Sequence, residues 1–190
     1  MLPLKCKIKL PSNTEPGSFG AVRKHDVHTG VDLYCDEGEP VYAIEDGMIA
    51  NYGPFTGIGA DSPWWEDTDF VCIKGKSGKI LYGEIAIDKS ILSKTSVREG
   101  DMLGRVKRVL RVDKGRPMTM LHIELYNEKY SGSGEVWNIG GPRPYCLEDV
   151  TKILKRELQK KWNKRKLLYL AILSGMAILA LTLNNYYKWI

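Results

Sequence analysis

Histidine is scarce: the 190-residue chain has three, His25, His28 and His122. Any chemistry built on imidazole must use these few. The four cysteines, Cys6, Cys35, Cys72 and Cys146, are irregularly spaced and never form a C-x-x-C. That excludes a zinc ribbon and a thioredoxin-type redox pair. The N-terminal M-L-P-L-K-C-K-I-K-L-P has no uninterrupted apolar run and does not read as a secretory leader. Without one, the cysteines are expected as buried free thiols. No internal repeat is present. Low complexity is absent too: 43% hydrophobic and 27% charged residues exclude global disorder. The basic excess of +5 is also missing from most of the chain. Residues 1–150 are net −3, and residues 151–190, whose one acid is Glu157, are net +8. A mildly acidic body with a basic tail is not a uniformly basic nucleic-acid binder, so no nucleic-acid partner is expected.

Short apolar and β-branched runs fill the first 145 residues: 41–51, 70–74, 79–85, 102–112 and 121–126. Asp46-Gly47, Lys76-Ser77-Gly78, Glu99-Gly100 and Lys114-Gly115 punctuate them as turns. The pattern predicts a mainly β, antiparallel fold over one core. Residues 53–69 read as a long loop carrying Trp64 and Trp65, either plugs of the core or a binding surface. From Leu147 the period changes. Leu147, Val150, Ile153, Leu154, Leu158 and Trp162 recur at helical spacing among charges, predicting a basic amphipathic helix over 146–166.

The 17 residues 167–183 carry no charge, and a spanning helix needs roughly 17–25. Lysines and arginines precede them, and Tyr186, Tyr187 and Trp189 follow, as at a membrane interface. The segment is expected to cross the lipid bilayer as a C-terminal anchor, with 184–190 a short aromatic tail. Eight basic residues between Lys152 and Lys166 place the body on the cytoplasmic side by the positive-inside rule and would face anionic lipid.

Two of the histidines sit in informative settings. His28 and Asp32 are four apart in H-T-G-V-D, and His122 lies on an expected strand, M-L-H-I-E-L. Two imidazoles and a carboxylate form a common ligand set for zinc with three protein ligands, leaving a fourth position for water. Spacing alone also allows a surface pair and a packed strand histidine.

The order of motifs is more specific. S-F-G-A-V-R-x-x-x-x-H-T-G-V-D-L, then G-E-P-V-Y-A-I-E-D-G-M-I-A, L-Y-G-E-I, V-R-E-G-D-M-L-G and M-L-H-I-E-L resemble, over residues 18–127, the lysostaphin-type (LytM-like) peptidoglycan metallopeptidases, metallopeptidase family twenty-three. The resemblance implies an antiparallel duplicated-hybrid-motif fold over 18–145, after an N-terminal extension 1–17, with a groove across one sheet. It implies His28, Asp32 and His122 as ligands of Zn2+, and Glu124 as an acid supporting them. Two departures stand out. Glu84 replaces the histidine of the family's Y-x-H-L, and Met120 replaces the first histidine of its H-x-H. Those are the imidazoles with which the family activates water and stabilises the tetrahedral intermediate.

Two readings follow. The chain is a membrane-anchored zinc metallopeptidase acting on peptidoglycan cross-links or a related peptide. Glu84 then serves as catalytic base, Tyr82, Arg116 or His25 as an oxyanion donor, and Trp64, Trp65, Tyr82 and Arg116 as substrate contacts. Alternatively the domain is catalytically silent and binds peptidoglycan or a partner protein as a regulator or scaffold. A wall substrate would require the body outside the membrane, against the charge rule.

Overall fold

The computed structural model describes residues 1–112, 117–130 and 135–187; in the helix beyond Leu167 only the side chains of Tyr169 and Ile172 are described. Among the described residues nine strands form one antiparallel sheet: β1 (Val31–Tyr34), β2 (Pro40–Tyr42), β3 (Gly47–Thr56), β4 (Thr68–Gly75), β5 (Gly78–Ile87), β6 (Ser96–Val97), β7 (Met102–Val106), β8 (Met120–Tyr126) and β9 (Leu147–Glu148). The main path runs β1-β8-β5-β4-β3-β6, with β2 on β7, β7 on β5 and β9 on β8. One helix, α1 (Thr151–Tyr187), follows. The chain divides into a compact unit of residues 1–152 and a helical unit from Ile153.

The expected strands appear, with three differences. The long loop is shorter than its composition suggests, because the β3–β4 ladder continues through Pro54↔Asp69 to Thr56↔Thr68. Pro54 fits there because β3 pairs on its other edge only at Gly47 and Met48, leaving no ladder bond for the missing N–H. Leu147, assigned above to the helix, is on β9 opposite Tyr126. The helix begins at Thr151, whose N–H donates to the Asp149 carboxylate. Residues 1–17 lie within the compact unit: Leu2 and Leu4 are buried and the Tyr42 N–H donates to the Pro3 carbonyl. Among the described residues no helix is long and apolar enough to cross a membrane; the expected span 167–183 falls mostly on side chains outside those described.

Strand alternation divides the centre of the sheet into two faces. Val31, Leu33, Leu121, Ile123, Ile80 and Tyr82 are buried on one. Asp32, His122 and Gly83 share the other, since Asp32 pairs with His122 and His122 with Gly83. Along that face Phe70, Cys72, Leu81, Tyr126, Tyr130, Cys146 and Leu147 form an apolar cluster, with Phe19, Phe55 and Trp137 packed against it.

β5 changes partners in mid-strand, and this shapes the site. Residues 79–83 pair with β8, and residues 85–87 pair with β7. At the junction the register against β4 slips between Asp69↔Ile85 and Val71↔Tyr82, so that Gly83 and Glu84 together oppose Phe70. This is a β-bulge, and Glu84 occupies it with φ 62°. A non-glycine residue there is strained by roughly 1–2 kcal/mol. Simple alternation would send Glu84 to the face of Tyr82; the left-handed residue turns it onto the face of His122.

Candidate metal centre

His28 is separated from β1 by Thr29 and Gly30, Asp32 lies within β1, and His122 is the cross-strand neighbour of Asp32 on β8. All three are buried. Gly30 makes the approach possible: a Cβ there would lie 2.4 Å from the Ile123 carbonyl oxygen and 2.8 Å from the His122 ring. Gly83 does the same on the far side, where a Cβ would meet the Phe55 ring at 2.7 Å. That ring packs 5.3 Å from His122, centroid to centroid.

Three ligand atoms converge. His28 Nε2 is 3.1 Å from His122 Nδ1 and 3.1 Å from Asp32 Oδ1, and His122 Nδ1 is 2.8 Å from Asp32 Oδ1. An outer contact orients the His28 ring. His28 Nδ1 lies 2.9 Å from the Ser18 carbonyl, which can only accept, so Nε2 presents a lone pair. His122 Nε2 is 3.1 Å from Glu124 Oε1, yet it is buried and has no well-aligned hydrogen bond. Glu124 is fixed by the Tyr126 hydroxyl at 2.6 Å and by the Thr29 hydroxyl. Without an ion, this triangle of two nitrogens and one oxygen shares one proton, on His122 Nδ1, between His28 Nε2 and Asp32 Oδ1. A cation at its centre satisfies all three, and two imidazoles with a carboxylate suit zinc. The residues present therefore fit the implied ion.

The electrostatics agree. Burial pushes His28 below the ordinary imidazole value, keeping it neutral. Burial also opposes the charge of His122, but its hydrogen bond to Asp32 and the close carboxylates of Asp32 and Glu124 override it and push His122 up to about 10. Asp32 is driven well below the carboxylate range: burial resists, and the two histidines prevail. Glu84 is pushed up to about 8, by burial first and then by the charge of Asp32.

These shifts fix a pH dependence for the ion-free protein. Below its ordinary 6.5 His122 is charged in both states and its contribution is complete; that contribution is lost as pH climbs through about 10. Glu84 adds a penalty that grows from its ordinary 4.5 and levels off above about 8. In both cases the folded chain binds more protons than the unfolded one. In chelator, the melting temperature is expected to fall from pH 6 to pH 9, and added zinc to restore more stability at the upper end. Melting curves followed by circular dichroism test this; a melting temperature that rises with pH over that interval contradicts it.

A cleft of about 340 Å³ opens beside the centre, lined among others by Glu84, His122, Glu124, Phe55, Trp65 and Trp137. The expected site residues are only partly gathered there. Glu84 lines the cleft, its Oε2 buried and without a hydrogen-bond partner. Trp65 lines it from the loop after β3, whereas Trp64 stands out at 64% exposed. Tyr82 is a correction. It is wholly buried on the opposite face, its hydroxyl accepting the Ile44 N–H at 2.9 Å, and it does not line the cleft. Arg116 lies outside the described residues. His25 is exposed and does not line the cleft. Sequence reasoning gave no role to Arg23, although S-F-G-A-V-R contains it. Its guanidinium is 2.5 Å from Asp32 Oδ2 and lines the cleft. Phe55 and Trp137 carried no signal, because only the chain's folding brings them to His122 and the cleft.

The arrangement is a buried His-Asp-His group that could hold a metal ion, beside a cleft that also holds a carboxyl group. No protein-family model matches the chain, nor does any curated protein. Among solved structures it is similar to a Pseudomonas aeruginosa protein described as a family twenty-three peptidase. That match has 18% identity, TM-score 0.40, and covers 65% of this chain and 42% of that one. It is also similar to Helicobacter pylori Csd3 in two crystal forms. These matches have 20% and 22% identity and TM-score 0.41; both cover 87% of this chain, and 43% and 41% of the other. The chain thus spans less than half the length of each.

Proposed function

We propose that the chain is a LytM-like zinc peptidase that hydrolyses a peptide bond of peptidoglycan cross-links or a related peptide. The observation that carries the reading is the convergence of His28 Nε2, His122 Nδ1 and Asp32 Oδ1 beside an open cleft that also holds Glu84. These three residues would hold the zinc, which when bound supplies a Lewis acid that acidifies water and polarises a carbonyl. The chain's own part is positioning and proton transfer. Ser18 and Glu124 orient the two rings. Glu84, turned into the cleft by its bulge, takes a proton from the attacking water and hands it to the leaving amine. A positive ion at the centre would pull Glu84 down from about 8 and leave it ionised near neutral pH. Trp65, Phe55 and Trp137 give the cleft apolar walls against which a peptide backbone can lie.

One observation favours a second reading, a silent domain that binds peptide without cleaving it. Met120, where the resembled family has an imidazole, is buried and has no hydrogen-bond donor. Residues 167–183 are proposed, from their uncharged run, to anchor the chain in a bilayer.

The test is incubation of the full-length, zinc-loaded chain with purified peptidoglycan, scoring new amino termini and metal content together. One equivalent of zinc with release of amino termini is the expected result. Zinc without turnover, but with retention on the polymer, selects the silent reading. No zinc overturns the site.

A further inference from the structure

Asp32 has two oxygens, and the fold gives each a separate task. Oδ1 faces the two histidines, whereas Oδ2 is 2.5 Å from Arg23 Nη2. Arg23 is itself held. Its Nε–H donates to the Pro16 carbonyl at 3.0 Å, and its backbone N–H donates to the Asp26 carbonyl at 2.8 Å. The Asp32 backbone is tied to the same segment, its N–H donating to the Gly17 carbonyl at 2.9 Å. A Cβ at Gly17 would press on Asp32 Cβ at 3.1 Å, so the segment is seated close against β1. Both ends of the Arg23–Asp32 pair are thus anchored to residues 16–26, and Arg23 is the sole lysine or arginine among the described residues lining the cleft.

We propose that Arg23 is a positioning residue that restricts Asp32 to one-oxygen ligation and keeps the remaining coordination position free for water and substrate. A carboxylate swings readily between one- and two-oxygen binding of a cation, and the second oxygen would occupy the place the reaction needs. By occupying Oδ2 with a charge-assisted hydrogen bond, Arg23 blocks that swing. The proposal rests on the metal reading above. It goes beyond it, because the histidines and Asp32 could bind a cation whatever the second oxygen does.

The test uses the full-length chain with cobalt(II) in place of zinc, reading visible absorption and, by chelator competition, affinity. Four-coordinate cobalt(II) absorbs more strongly than the five-coordinate ion. Arg23→Met is expected to bind cobalt about 10–100-fold more weakly, as for other residues that support ligands, and to lose absorption intensity as the second oxygen enters. Arg23→Lys, which keeps a positive charge near Oδ2, is expected to recover most of the intensity. If Arg23→Met shows wild-type absorption and affinity and only a lower melting temperature, Arg23 merely braces its loop and the proposal is overturned. Should Arg23→Met not fold, Arg23→Gln is read by the same two outcomes. A wild type that takes up no cobalt overturns the metal reading, and this proposal with it; a wild type that takes up cobalt, with absorption and affinity unchanged in the variants, overturns this proposal alone.

Discussion

His122→Ala is expected to abolish stoichiometric zinc binding and to destabilise the ion-free protein at the same time. The two losses share one origin. His122 lies between two buried carboxylates, Nδ1 at 2.8 Å from Asp32 and Nε2 at 3.1 Å from Glu124. With an ion bound, its Nδ1 is one of three ligand atoms, and the two left by alanine cannot hold zinc tightly. Without an ion, the protonated ring is what neutralises Asp32 and Glu124; removing one partner of a buried ionic group costs on the order of 3–5 kcal/mol. The variant should therefore melt well below wild type in chelator, and adding zinc should not raise its melting temperature. It should also lose the part of the decline in stability between pH 6 and pH 9 that comes from His122, which stays protonated in the fold up to about 10, and keep the part that comes from Glu84. Metal analysis after dialysis and melting curves at the two pH values read these effects separately. His122→Gln, which keeps a polar group at Nδ1, guards against a variant that does not fold. Zinc retained at wild-type stoichiometry in either variant would remove His122 from the centre.

That His28, Asp32 and His122 come together was expected from the order of the motifs, while much of what surrounds them was not, and the difference is physical. His28 and Asp32 sit either side of a glycine that must be small, and strand alternation puts Asp32 beside His122 once β1 and β8 pair; both are local rules of spacing and period. Tyr82 was misassigned because the same alternation, applied one residue further along β5, puts it on the buried face. Glu84 follows it by two positions and escapes that rule only through the bulge, which depends on β5 exchanging β8 for β7, a tertiary event without a sequence signature of its own. The contact of Arg23 with Asp32 arises from a turn closed by Gly17 and Pro16. Leu147 kept the helical period of the residues after it, yet it lies on β9 opposite Tyr126, so the ladder prevailed over the pattern.

Glu84→Gln is expected to slow peptide hydrolysis by about 10²–10⁴-fold, the usual contribution of a general base, while leaving zinc content unchanged. The argument depends on geometry before acidity. Glu84 is a carboxyl group aimed into the cleft next to the centre, with one oxygen buried and unpartnered, and the bulge that aims it there is strained. A strained residue with an unsatisfied polar atom is hard to explain as packing, since both features oppose stability. Glutamine preserves the size and the backbone but cannot take a proton at the working pH. Because burial raises Glu84 to about 8, the same substitution should stabilise the ion-free fold at pH 8 and above, where the carboxylate would otherwise ionise in its buried site. A slower and more stable variant is the signature of a functional group held against the preference of the fold. The restoring experiment sharpens the contrast with the silent reading. Glu84→His combined with Met120→His supplies both imidazoles of the resembled family. If wild type cleaves peptidoglycan and Glu84→Gln does not, Glu84 is the base. If wild type is inert and the double variant cleaves, the domain is a binder whose centre has kept its ligands and lost its acid–base chemistry. An active wild type matched by an equally active Glu84→Gln would leave the hydrolase standing and assign the proton to another group.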